Sequence, residues 1–487
     1  MAETREDQAL AEPPALFSVE TSHTGDFGGR KVDYTANVSN FLLKKDDGSV
    51  YAEAVLTSYL AGTRSGSRPV TFIFNGGPGS ASTWLHMGLM GPVRVRVPSD
   101  ASDPGLPPYA IEKNPMALLD LTDLVFIDPI GTGFSRLAGE GKPEDVFGLE
   151  EDARSVASIV REWLRREKRW NTPVFIAGES FGTTRSAAML PYLQDGPEPI
   201  RVSGVIMISQ AMDYTGSTPV NDNLIAFATY LPSLAATAWH HERLENRPAD
   251  FSQFINTVRE FTIDEYLPAL VKGAYLSEQD TDRIAGLLER FTGVDKSYFL
   301  KSRLRIPTAR FAKELLREQG AIVGRLDSRY RAQDVDVMAE SPRFDAASAA
   351  ISAAYSSSFK KYLSETLNVS LDRPYYASGP SVGQNWVYDR SEGYHEPSYV
   401  NTAPKLADAM AKNPSLQVLV ASGYYDLITP FFDAEFTVAR HGIDFSRVTM
   451  TYYDAGHMMY VHEPAFVQLS KDIRRFIERL LNDKQKG

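Results

Sequence analysis

Short, largely apolar runs recur along the chain at residues 70–74, 124–127, 174–177, 205–209, 416–422 and 448–453. Runs of this length, bounded by Gly, Pro and Asp, read as buried strands. Between them, residues 150–168 place Val156, Ile159, Val160, Trp163 and Leu164 on one face of an amphipathic helix, and residues 465–481 repeat the pattern at the end of the chain. Strand, helix, strand, helix, strand predicts a mostly parallel, doubly wound α/β sheet. Upstream, residues 31–60 alternate apolar and polar positions around Asp46-Asp47-Gly48, which predicts an antiparallel hairpin at one edge of that sheet.

The strand rhythm stops after Tyr214. Residues 215–380 carry helical stretches at 224–230, 281–291, 308–319 and 346–358 and no convincing core strand. A sheet that pauses and resumes implies an insertion. The expected division is a loose polar tail at 1–14, a core domain formed by 15–214 and 381–487, and a helical cap at 215–380. Seated over the functional edge of the sheet, such a cap would shape a pocket and exclude water.

Composition narrows the function classes. The 487 residues are 43% apolar, enough for a large core, and 51 basic against 62 acidic residues leave a formal charge of −11. That balance argues against nucleic acid and anionic membrane partners. Residues 224–239 are uncharged but too short for a membrane span and are broken by Pro232. With no cysteine there are no disulfides, thiolate metal sites or reactive thiols. The first residues lack a basic-then-apolar signal. The cytoplasm is the expected compartment, with the periplasm or secretion as the alternative if a signal has been removed.

Four strand ends carry candidate chemistry. Residues 174–177 run into Gly178-Glu179-Ser180-Phe181-Gly182, the spacing needed to hold a serine nucleophile on a sharp strand-to-helix turn. Residues 70–74 run into Asn75-Gly76-Gly77-Pro78-Gly79-Ser80, where glycines let backbone amides approach a ligand. Residues 416–422 lead to Asp426, and 448–453 lead to His457. Ser, Asp, His is the chain order of an α/β-hydrolase triad. Asp454 competes as the acid, but only three residues from the histidine it is better placed to cap the turn. His462 competes as the base, but lies in the approach to the last helix.

These blocks, with Asp128-Pro-Ile-Gly-Thr-Gly-Phe-Ser and Gly456-His-Met, resemble in order the signatures of the serine carboxypeptidases, the S10 peptidase family. The resemblance runs from about residue 70 to 460. It implies an α/β-hydrolase fold with a helical insertion, and removal of C-terminal residues from peptides without a metal or other cofactor. It implies Ser180 as nucleophile, His457 as general base and acid, and Asp426 as the residue orienting it. It further implies an oxyanion hole from the Gly77 and Phe181 amides, and substrate binding by Asn75, Gly76 and Glu179.

Two departures stand out. Ser80 and Ala81 replace a cysteine common in eukaryotic members, and Leu89 stands where a second glutamate often precedes the Gly91-Pro92 pair. The carboxylate-binding network is therefore expected to be thinner. An esterase or acyltransferase on the same scaffold is the rival reading. A non-catalytic binding protein is disfavoured because all three triad types are present. Relatives that remove N-terminal proline carry histidine before the Gly-Gly-Pro-Gly loop, where this chain has Asn75.

Overall fold

The computed structural model describes residues 12–62, 67–389 and 398–483. Residues 1–11 of the expected tail lie outside that range. Among the described residues, fourteen strands follow in chain order. The first four are β1 (Ser18–Phe27), β2 (Arg30–Lys44), β3 (Val50–Ala61) and β4 (Val70–Phe74). Then come β5 (Val93–Val95), β6 (Ile111–Lys113), β7 (Asp123–Ile127), β8 (Arg136–Leu137), β9 (Val174–Glu179) and β10 (Val202–Ile208). The last are β11 (Ala321–Val323), β12 (Arg331–Gln333), β13 (Gln417–Gly423) and β14 (Val448–Tyr453).

The main sheet runs β1-β2-β3-β7-β4-β9-β10-β13-β14, with β8 beside β3. From β7 to β14 every pair on this path is parallel, while β1, β2 and β3 join antiparallel. Central strands β4, β7, β9 and β10 are buried along their whole length, as apolar runs covered on both faces must be. Helices Leu149–Arg166 and Phe181–Gln194 cover one face, where Trp163 stacks edge-on against Phe72. Helix Glu463–Asp483 covers the other, with Phe476 beside Gly204.

The predicted hairpin is β2 and β3, but it is not the edge. The edge strand is β1, which sequence reading missed. Its alternation pairs only half-buried positions with exposed ones, so a polar sequence such as Ser18-Val19-Glu20-Thr21-Ser22 carries no apolar face to read.

Residues 215–380 are mainly helical, with helices at Leu224–His240, Phe251–Phe261, Glu278–Thr292, Thr308–Glu314 and Ala346–Lys361. A two-stranded pair, β11 with β12, lies apart from the main sheet. The stretch divides physically. Residues from Ala226 to Val323 share a core of their own, closed by Tyr425, Leu427, Phe431 and Phe432. Residues Tyr330 to Tyr375 instead pack into one core with the sheet. No described helix is long and apolar enough to cross a membrane.

Candidate functional site

The parallel strands β4, β9, β13 and β14 point their C-terminal ends to one edge, where their loops converge. Strand β9 ends at Glu179, and helix Phe181–Gln194 begins two residues later, so the chain must reverse within Ser180. Ser180 takes φ 59° and ψ −129°, a conformation L-residues rarely adopt. The turn closes because its flanks have no side chains. A Cβ at Gly178 would stand 2.3 Å from the Gly182 carbonyl oxygen, and one at Gly182 would stand 3.0 Å from the Phe74 carbonyl oxygen.

The glycine loop after β4 is seated directly on this turn. A Cβ on Gly76 would lie 2.4 Å from the Phe181 nitrogen and 2.6 Å from the Gly182 nitrogen. Gly77 has φ 105°, which turns the loop on towards Ser80, whose amide donates to the Gly76 carbonyl at 2.9 Å. Two buried groups hold the loop. Asp128 accepts from the Ser82 amide and hydroxyl at 2.8 and 2.7 Å. Arg185 donates to the Asn75 carbonyl at 2.6 Å and grips Asp152 with Nε and Nη2 at 2.6 and 3.1 Å.

His457 and Asp426 meet. The Asp426 Oδ2 lies 2.7 Å from His457 Nδ1, leaving Nε2 as the nitrogen free for chemistry. Asp426 is fully buried; its Oδ1 accepts from the amides of Ile428 and Thr429 at 2.8 and 3.0 Å, and the Thr429 hydroxyl donates at 2.8 Å to the same Oδ2 that faces the imidazole. Burial alone would depress the His457 pKa, but the charge and hydrogen bond of Asp426, helped by Glu179, outweigh it and hold the pKa above the ordinary histidine value. The Ser209 hydroxyl donates to the His457 carbonyl at 2.7 Å, which ties this loop to the end of β10. Asp454 is exposed. His462 bonds instead to Ser99, at 2.9 Å from its carbonyl.

Glu179 is buried immediately before Ser180. Its Oε1 accepts from Asn75 Nδ2 at 2.8 Å, and Asn75 is fixed in turn by the Leu85 amide, which donates to its Oδ1 at 3.0 Å. Desolvation raises the Glu179 pKa, and although His457, Tyr460 and Asn75 pull the other way, it is pushed up to about 7. The Tyr460 hydroxyl is close enough to feel this carboxyl but lacks hydrogen-bond geometry. Neither Tyr460 Oη nor Glu179 Oε2 has a partner. Leu89 lies buried in the five-residue π-turn His86–Met90, within the apolar core.

Sequence reading did not single out Arg185, Asp152, Thr429 or Tyr460. Arg185 had a signal: it is the sole charge among the small residues that open a buried helix. Thr429 and Tyr460 had none, because both owe their place to loop geometry. Among the described residues, no group of three or more His, Cys, Asp or Glu side chains is placed to hold a metal ion.

A family model described as serine carboxypeptidase matches residues 59–203. A prohormone-processing carboxypeptidase from Saccharomyces cerevisiae superposes with a TM-score of 0.56 at 15% identity, covering 92% of this chain and 92% of that one. A proline iminopeptidase from Mycobacterium smegmatis gives a TM-score of 0.37 at 13% identity over 94% of this chain and 98% of its own. No curated protein matches the chain. The sheet is that of an α/β-hydrolase fold, and the segment that carries the glycine loop and the Ser180 turn, residues 59–203, is similar to the serine carboxypeptidases.

Proposed function

We propose that this enzyme releases C-terminal residues from peptides through an acyl-enzyme on Ser180. In this reading His457 Nε2 takes the Ser180 proton as Oγ attacks the scissile carbonyl. The oxyanion forms against the Gly77 and Phe181 amides. The C–N bond then breaks, and His457 returns the proton to the departing amine, which leaves as the C-terminal amino acid. Water, deprotonated by the same histidine, attacks the ester and frees the shortened peptide. Asp426 holds the imidazole tautomer and stabilises the imidazolium. Each oxyanion donor contributes roughly 10²–10³ in rate. Residues 215–380 serve as the cap, with the Ala226–Val323 cluster as its independent part.

The observation that carries the reading towards an exopeptidase is Glu179. It adjoins Ser180, is bonded to Asn75, and has a pKa of about 7. A carboxyl that keeps its proton near neutrality can donate to a substrate's terminal carboxylate instead of repelling it. The test is digestion of one peptide as free acid and as C-terminal amide, read by mass spectrometry. Stepwise loss from the C-terminus of the acid, with slower turnover of the amide, is expected. Equal rates, or internal cleavage, would make this an endopeptidase or esterase.

A further inference from the structure

A terminal carboxylate offers about four lone-pair directions, and the residues already named supply few donors for them. Protonated Glu179 has one O–H. The Asn75 amide spends one of its two N–H donors on Glu179, and its oxygen accepts from Leu85. Leu89, buried where relatives carry a second acid, has nothing to donate.

One donor of the right kind stands beside them. Tyr460 lies in the short turn Met459–Val461, three residues after His457. Its ring is accommodated by Gly88, where a Cβ would come within 2.3 Å of the ring carbons. The hydroxyl sits next to Glu179 and Asn75, buried and without a hydrogen-bond partner, and Glu179 Oε2 is unpartnered in the same place. Two unpartnered polar atoms side by side are unfavourable in a buried site, and a shared ligand that bonds to both relieves them. Burial and the neighbouring carboxyl hold the tyrosine pKa far above its usual range, so the group remains a donor at any working pH.

We infer that Tyr460 is a further specificity-determining residue, whose hydroxyl donates to the substrate's terminal carboxylate alongside Glu179 in place of the acid that Leu89 replaces. This rests on the exopeptidase reading above. It assigns the recognition of a free C-terminus to one carboxyl and one phenol.

The experiment compares wild type with Tyr460→Phe, which keeps the ring against Gly88 and removes only the hydroxyl. The substrates are one blocked dipeptide as free acid and as amide. Loss of a hydrogen bond to a charged group predicts a rise in KM for the acid of about tenfold or more. The KM for the amide should move less than about twofold, and kcat on the acid should change little by comparison. Calorimetric binding of the same acid and amide to Ser180→Ala, with and without Tyr460→Phe, gives the split without turnover. It also shows whether each variant remains folded. An unchanged KM for the acid overturns the inference, as does an equal rise for acid and amide, which is the mark of a structural tyrosine. If wild type itself fails to prefer the acid, the exopeptidase reading has failed instead.

Discussion

At Ser180 a residue with φ 59° holds its hydroxyl at the end of a buried strand, and the strain is tolerated because neighbouring glycines leave no alternative path. The nearness of the candidate acid and base was legible by position: Asp426 follows one core strand and His457 the next, and their side chains stand 2.7 Å apart. Asp454, the rival, is exposed. Asp426→Asn should therefore lower kcat about 10⁴-fold through the wrong imidazole tautomer. Asp454→Asn should change it less than about threefold, with steady-state kinetics on one ester substrate as the check. The pH profile belongs to the same scale. A histidine pKa raised by Asp426 means that the neutral base appears only as pH climbs past that raised value. Glu179 loses its proton as pH climbs past its own raised value of about 7. Free-acid substrates should thus give a bell-shaped kcat/KM, because above Glu179's pKa two carboxylates face one another. Amide substrates should rise and stay level. The two groups influence each other, so the limbs report the pair. In Glu179→Gln the donor persists at all pH values, and the alkaline fall should disappear. A matching alkaline fall for acid and amide would show that Glu179 does not read the terminus.

Among the elements, the parallel strands were readable because burial on both faces makes them short apolar runs. Helix ends were less so. The run at 224–239, read as buried helix although only 224–230 was counted among the helical stretches, forms one helix to His240 with Pro232 inside it and most of its residues buried. The turn and the loop seated on it depend on Arg185, a charge inside a core of small side chains. Its contacts with Asp152, Asn75 and the rings of Phe74 and Phe181 join two helices to β4. Removing it leaves the Asp152 carboxylate buried and alone, so Arg185→Ala should destabilise by about 3–5 kcal/mol in urea unfolding. Truncating Asp152 as well should recover part of that loss. Gly76→Ala acts on the same junction without touching charge. Its methyl would enter the space of the Phe181 and Gly182 amides, so kcat should fall about 10²-fold or more, with a smaller effect on KM. Equal activity would mean that the loop can withdraw without disturbing the amides.

For the whole molecule, the informative region is 325–328, which no motif marked because it works through its backbone. This segment threads between the two loops that carry Asp426 and His457. The Leu326 carbonyl accepts from the His457 amide at 2.7 Å and the Arg325 carbonyl from the Leu427 amide at 2.9 Å, while the Ser328 amide donates to the Tyr425 carbonyl at 3.0 Å. Gly456 lies so close to Asp327 that a Cβ would stand 2.4 Å away. Asp345 anchors the segment: its Oδ2 accepts from the amides of Arg325 and Leu326, while its Oδ1 caps helix Ala346–Lys361 through the Ser348 amide at 2.8 Å. The helical stretch after β10 is thus tied to the loops at the sheet edge. Asp345→Ala strips the cap and frees three amides. The expected cost is about 1 kcal/mol for the cap, with kcat down about tenfold as the His457 loop loosens. Asp345→Asn retains an acceptor oxygen and should restore most of kcat. Asp345 also contributes to the raised His457 pKa. Both variants lose that charge, so in both the acid limb of kcat/KM should move to lower pH. The alanine variant should show the shift and the rate loss together, the asparagine variant the shift alone. A full rate in Asp345→Ala would mean that the two catalytic loops hold their geometry without this brace.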